Sequence, residues 1–477
     1  AQCLVGSEMC IRDRGLVGRL TYEYASRYLA EFNMGYNGTE NFAKGKRFGF
    51  FPAVSLGWVI SEEKFFPKNN IVKYLKVRGS YGEVGNDQIG GDRFLYLPSS
   101  YGAASDSGVN KYNFGLASNP YTSLMIVENK IGNPDLTWEK AKKMNVGVDI
   151  NLFNNCLTAS FDIFKEKRNN ILANRSTSPM IIGANLPAYN FGEMENRGWE
   201  MDLNFRHHIQ DFHYWARFNY SFARNEIIYM DEVQKRYDYQ MTTGRRKNQF
   251  FGLIFDGYYN SWEEINALDR PKSSWSGNQL QPGDVKYVDV NQDGVIDDYD
   301  MVPIGYTPVP EIIYGFSFGA QYKGFDFSIL FQGADNVSIK YFGRSMWPFA
   351  KGEESAKSLI KERWTQERYE AGEKITFPRL SLNPNGETDH NYRPSTLWIR
   401  DASYLRLKNL EVGYTFTGGF VKRLNLNSVR LYFNGSNLFT WTDVVDLDPE
   451  APSRSGNVEI NTYPLQKVYN IGLNINF

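Results

Sequence analysis

The last ten residues, VYNIGLNINF, put Tyr469, Ile471, Leu473, Ile475 and Phe477 on one side of an extended chain, and Asn470, Gly472, Asn474 and Asn476 on the other. A period of two is that of a β-strand. In a soluble sandwich the polar side would meet water and carry Lys, Glu and Thr. A side of Asn and Gly opposite a wholly apolar side suits a wall between hydrocarbon and a wet lumen.

The same alternation recurs along the chain. It predicts strands over Leu16–Tyr24, Tyr28–Tyr36, Phe48–Ile60, Val72–Val84, Met144–Phe153, Leu157–Phe164, Trp199–His207, Phe212–Ala223, Ile312–Tyr322, Phe325–Gly333, Tyr404–Phe416, Val429–Phe439 and Val468–Phe477. Two of the turns are tight: Ala25-Ser26 and Lys323-Gly324. Between other pairs the chain makes long excursions, over 85–143, 165–198, 224–311 and 334–403. Outer-membrane barrels alternate short turns at one end with long loops at the other. The fold class expected is therefore all-β, a transmembrane antiparallel β-barrel with long extracellular loops, which are where function should sit.

Composition supports this reading and excludes others. Aromatic residues make up 16% of the chain, an excess that girdles of Tyr and Trp at two interfaces would need. No apolar run approaches the roughly 18 residues of a spanning helix, a test to which barrel strands are nearly invisible. A net charge of -1 gives no field that argues for nucleic acid. Three cysteines, Cys3, Cys10 and Cys156, form neither a disulfide framework nor a zinc spacing. His207 and His208 read as a polar turn. Residues 1–14, AQCLVGSEMCIRDR, resemble translated sequencing-adapter sequence at a broken assembly end and are set apart from the barrel of 15–477. A lipoprotein signal around Cys3 would need a preceding apolar segment.

The sharpest local signal is DVNQDGVIDDYD. Asp289, Asn291, Asp293, the carbonyl of Val295, Asp297 and Asp300 take positions 1, 3, 5, 7, 9 and 12 of an EF-hand-type loop, with Gly294 at the sharp turn. Alternating oxygen ligands would let this segment hold Ca2+; a solvated Asx-rich turn is the other reading. Asp300 stands where Glu is usual, and a structural role is expected rather than a catalytic one.

This loop with its flanks, GDVKYVDVNQDGVIDDYDMVPIGYTPVPEIIYGFSFGAQYKGFDFSILFQGA, resembles the SusC/RagA-type TonB-dependent outer-membrane transporters. So do FGFFPAVSLGWVISEEKFF, YLKVRGSYGEVGND, NPDLTWEKAKKMNVGVDI, STLWIRDASYLRLKNLEVGYTF and VRLYFNGSNLFTW. The resemblance implies a barrel of about 22 strands, of which these would be about the last thirteen. It also implies import of oligosaccharides or peptides, a SusD-like surface lipoprotein over the mouth, and energy from the TonB complex through a box and plug that this chain does not include. An odd strand count, where single-chain barrels have even ones, likewise leads to the expectation of a carboxyl-terminal part of a longer protein. Phe477 matches the family's final aromatic, which the outer-membrane assembly machinery reads.

Ligand contacts are expected from loop aromatics that stack on the apolar faces of sugars or peptides, with Tyr258, Tyr259, Trp262 and Trp275 as candidates. No catalytic residue is assigned. Two other readings stay open. One is a TonB-dependent receptor for iron chelates or cobalamin; the other is a soluble β-rich carbohydrate-binding or hydrolase module, in which two carboxylates about 5 Å apart would do the chemistry.

Overall fold

The computed structural model describes residues 13–88, 94–97, 102–103, 111–115, 121–124, 126–127, 131–177, 186–275, 279–341, 347–349, 358–381, 389–445, 447–450, 457–458 and 465–477. The opening residues 1–12, with Cys3 and Cys10, lie outside them.

Thirteen strands form one antiparallel meander in which every strand pairs with its neighbours in sequence. They are β1 (Arg14–Tyr24), β2 (Tyr28–Gly38), β3 (Phe48–Val59), β4 (Val72–Asn86), β5 (Glu139–Leu152), β6 (Leu157–Ala173), β7 (Tyr189–Ile209), β8 (Phe212–Tyr229), β9 (Ile312–Tyr322), β10 (Phe325–Asp335), β11 (Tyr404–Phe416), β12 (Ser428–Thr442) and β13 (Val468–Asn476). These are the thirteen strands the alternation predicts. The tight turns are as expected too. Ala25 and Ser26 both have positive φ, as do Lys323 and Gly324, the geometry whose twist matches the flanking strands.

Register fixes which side each residue faces. Phe161 stands between Val148 and Met201, Ile163 between Val146 and Trp199, and Phe218 between Leu203 and Phe316. Apolar side chains thus run in rows across the sheet on one face, and most stay exposed: Ile163 is 56% accessible and Ile471 81%. A face this apolar and this open is suited to hydrocarbon rather than water. From Leu157 to Ile163 the apolar stretch of β6 is about 20 Å along the strand, close to the ~25 Å band of a membrane barrel.

The structure departs from the expected boundaries at one end. β6, β7 and β8 run on to Ala173, back to Tyr189 and on to Tyr229. Beyond Ile163 the outward positions turn charged, with Lys165 bonded to Glu195 and Lys167 to Glu193, each at 2.9 Å. Pairing continues while hydrophobic alternation stops, so much of the loop expected over 165–198 is strand.

The long connections gather at that same end and contain the largest buried core among the described residues. Leu253, Val285, Ile296, Val337, Ile339, Trp364, Phe377, Tyr392, Leu397, Trp398 and Val444 pack together, drawn from the connections after β8, β10 and β12. Short strands lace them: Ser338–Tyr341 pairs antiparallel with Ile399–Asp401 and parallel with Asn457–Val458. The connections thus form a folded cap over one rim of the wall.

Candidate functional site: the polar wall and its cap

The face opposite the apolar rows carries the charges. Arg78 of β4 reaches Asp149 of β5 (Nε to Oδ2, 3.1 Å) and Asp162 of β6 (Nη2 to Oδ2, 2.6 Å), while Ser160 Oγ donates to Asp149 Oδ1 at 2.9 Å. The guanidinium crosses β5 at Gly147, where a Cβ would stand 2.7 Å from Arg78 Cζ and 2.6 Å from Asp162 Oδ1. Only glycine leaves that passage.

The same device recurs toward the other edge. Arg430 of β12 donates to Asp326 Oδ1 of β10 at 3.0 Å and to Glu411 Oε1 of β11 at 2.6 Å. It passes Gly413, whose Cβ would lie 2.7 Å from Arg430 Nη2. In each case one arginine ties three strands, and its carboxylates are answered within the wall.

Higher on this face, side chains of the wall meet the cap. Arg406 of β11, buried to 2% exposure, donates to Thr440 Oγ1 at 2.9 Å and Asp448 Oδ1 at 2.6 Å, and pairs with Glu450. Tyr404 Oη also donates to Glu450, at 2.7 Å. Glu311, just ahead of β9, is buried between Arg224 and Arg246. Burial alone would raise its pKa, but the two guanidiniums hold it below the usual carboxylate range. Beside it a cavity of about 300 Å3 is lined by Glu166, Arg168, Asn196, Asn225, Arg246 and Lys247, among others. Polar groups of both signs converge there, a setting for a polar solute.

The cap seals itself around His390. Its Nε2 donates to Val285 O at 2.7 Å and its Nδ1 accepts from Ser273 Oγ at 2.9 Å. Tyr287 Oη donates to His390 O at 2.7 Å, and Asn391 Oδ1 accepts from Val285 N at 2.9 Å. Burial pushes the His390 imidazole below its ordinary pKa. One loop is thus pinned to another by groups that all need to be neutral.

Of the four candidate aromatics, Tyr258 and Tyr259 are buried, at 8% and 7%. Tyr258 belongs to the cap core; Tyr259 packs with Ile265 and Leu280. They offer no ring to a ligand in this conformation. Trp275 packs against the core under the Arg393 guanidinium, 4.1 Å from its ring centroid. Trp262 alone of the four is open, at 55%. The sequence pattern had no means of separating cap-core rings from exposed ones, because the core unites segments more than 100 residues apart.

The acidic loop is a tight turn of its own. Gly294, at φ +83°, donates from N to Asp289 Oδ2 at 2.8 Å, and Asp293 Oδ1 accepts from Val295 N at 2.9 Å. Asp300 is wholly buried, and its carboxylate accepts from Val290 N (2.8 Å), Asn291 N (3.4 Å) and Asp297 N (2.9 Å). Burial raises its pKa even against those donors. The residue expected to close a cation cage is thus held by three backbone N–H groups. Asp289 Oδ1 is buried and without a hydrogen bond. No group of three or more His, Cys, Asp or Glu poised around a metal occurs among the described residues.

Phe477 is 86% exposed, and its carbonyl accepts from Asn427 Nδ2 at 2.6 Å. The polar-face arginines Arg78 and Arg430 are not among the site residues the sequence pattern singles out. Their glycine passages were the missing signal, visible only once register set Gly147 opposite Arg78.

Comparison with known proteins follows the architecture. The family described as TonB dependent receptor-like, beta-barrel matches residues 12–438. The chain is 28% identical to TonB-dependent receptor P3 of Formosa agariphila, over 96% of this chain and 45% of that protein. It is also 28% identical to TonB-dependent receptor SusC of Bacteroides thetaiotaomicron, over 96% of this chain and 43% of the relative. Among solved structures, the RagAB peptide importer in its 'open-open' state superposes with a TM-score of 0.72 at 23% identity, covering 98% of this chain and 47% of that one. The chain spans a little under half the length of these relatives.

Proposed function

The chain belongs to the TonB-dependent receptor β-barrel family, and from that premise we propose that it supplies wall and extracellular cap to an outer-membrane importer of oligosaccharides or peptides. A SusD-like surface lipoprotein is its partner at the mouth, the TonB complex its source of energy, and the chain is a conduit rather than an enzyme. The observation that carries this reading is the two-faced wall: apolar rows open on one side, arginine-linked carboxylates on the other. Short turns then lie in the periplasm and the cap outside the cell.

The test is uptake. Cells lacking the gene should lose growth on one class of oligosaccharide or peptide and regain it on complementation. Unchanged growth on every such substrate, or a protein that extracts as fully soluble, overturns the proposal. Phe477 is proposed to serve the assembly machinery, so its deletion should lower the amount of folded protein in the membrane.

The 289–300 loop is a candidate Ca2+-binding turn on one observation, the unbonded Oδ1 of Asp289. The hydrogen bonds around Asp300 fit a closed EF-hand cage poorly. Calcium titration of the protein with Asp289→Ala and Asp293→Ala decides the matter: unchanged affinity removes the loop as a site.

A further inference from the structure

The apolar face is not uniformly filled. On β4, Gly79 stands in the outward row between Leu56 of β3 and Val146 of β5. A Cβ there would meet nothing nearer than Asn145 O at 3.9 Å. No turn or crossing side chain requires glycine at this position, in contrast to Gly147. Ala30 on β2, opposite Leu56, is small as well. Around the pair lies an open groove of about 640 Å3 lined by Tyr22, Tyr28, Leu56, Trp58, Val77 and Val146. A bare glycine in a strand interior often marks where another molecule approaches.

The groove runs toward the short-turn end, and there its chemistry changes. Trp58 Nε1 and Tyr28 Oη both donate to Glu63 Oε1, at 3.1 and 2.6 Å, and Arg27 pairs with Glu63 Oε2 at 3.3 Å. Two aromatic side chains are thereby fixed with their polar tips at one level, as at a membrane interface. Glu63 is answered by Arg27, and the same connection carries exposed Lys64 and Lys68 against a single further acid, Glu62, with Lys73 exposed at the start of β4. The basic stretch begins at Lys64, the residue after the Glu63 that holds the groove's two aromatics.

We propose that this groove seats one acyl chain of an anionic phospholipid of the periplasmic leaflet, with the phosphate at the Lys64 and Lys68 rim. The occupant follows from the chemistry: hydrocarbon is what faces this side of the wall, and a basic rim selects phosphate. The proposal rests on the reading of the chain as an outer-membrane wall.

The test uses the whole protein in which this chain occurs, extracted in mild detergent, exposed to vesicles of phosphatidylethanolamine and phosphatidylglycerol, and weighed by native mass spectrometry. Phosphatidylglycerol should stay bound to the unaltered protein. Gly79→Leu, which fills the trough, should lower its retention about tenfold. The double variant Lys64→Gln, Lys68→Gln should abolish the preference for phosphatidylglycerol over phosphatidylethanolamine. Ala30→Leu closes the same trough and carries the test if Gly79→Leu fails to assemble. Equal retention by the filled and open forms overturns the proposal. So does cross-linking of the Gly79→Cys variant to a second copy, which would make the groove a protein contact. Flotation with membranes separates the two levels: a protein that does not float defeats the outer-membrane reading, whereas one that floats while Gly79→Leu keeps its lipid defeats only the groove.

Discussion

Wall and cap, made by one chain, are held together in opposite ways. The wall has almost no interior: its apolar side chains lie open in rows, and its stability comes from the strand ladders and from arginines that bridge three strands at a time. The cap is a small globular core with buried tryptophans and a hydrogen-bonded histidine. A wall in hydrocarbon gains little from burying apolar groups, whereas a cap in water depends on it.

The comparison breaks most sharply at Trp398, buried to 3% exposure and donating from Nε1 to Asn391 O at 2.8 Å. Trp398→Ala should cost the cap about 3–5 kcal/mol. Limited proteolysis should cut the long connections while the heat-resistant migration of the barrel persists. If both fail together, the two regions are one cooperative unit.

Next comes a charge on the wall. Phe161→Arg, in the middle of the apolar band, should cost about 2–4 kcal/mol of insertion stability. Leu268→Arg, at an already fully exposed cap position, should cost nothing measurable in the same folding assay. Equal losses would show that the band does not face lipid.

A smaller effect separates the regions by pH. Because burial lowers the His390 pKa in the folded cap, the unfolded cap binds the proton more readily. Its contribution is complete above about pH 6.5 and is lost as pH falls below that value. Asp284 and Asp389 nearby oppose the shift, and Arg270 adds to it. Protease resistance of the cap should fall on acidification, and His390→Gln should flatten the profile; a flat profile in the unaltered protein would remove the histidine's role. The smallest change is expected from Lys165→Ala, whose surface pair with Glu195 is worth less than about 1 kcal/mol.

How far the sequence could be read follows the same division. Wall strands announce themselves locally, since residues two apart must match: all thirteen were visible, and Lys323-Gly324 dictated its own turn. Where Lys165 and Lys167 replace apolar residues on the outward row, the local pattern ends although the strand does not. The cap was opaque because its core joins Leu253, Val337 and Trp398, which no short window contains. Nothing local to Tyr258 therefore marks it as a member of that core, which is where the structure places it. The acidic loop was legible as a turn, but the capture of Asp300 by three backbone N–H groups was not.

The lacing of Ser338–Tyr341 to both Ile399–Asp401 and Asn457–Val458 has a consequence for descent. Loops that hang separately from a barrel can be lengthened, shortened or exchanged one at a time. Here the lacing joins the connections after β10 and β12 and the buried core adds the one after β8, so a tolerated insertion in one must leave its contribution to that interior intact or be matched in the others. Variation among descendants of this chain should therefore be correlated across the connections after β8, β10 and β12, with free drift confined to the tips that the core does not hold.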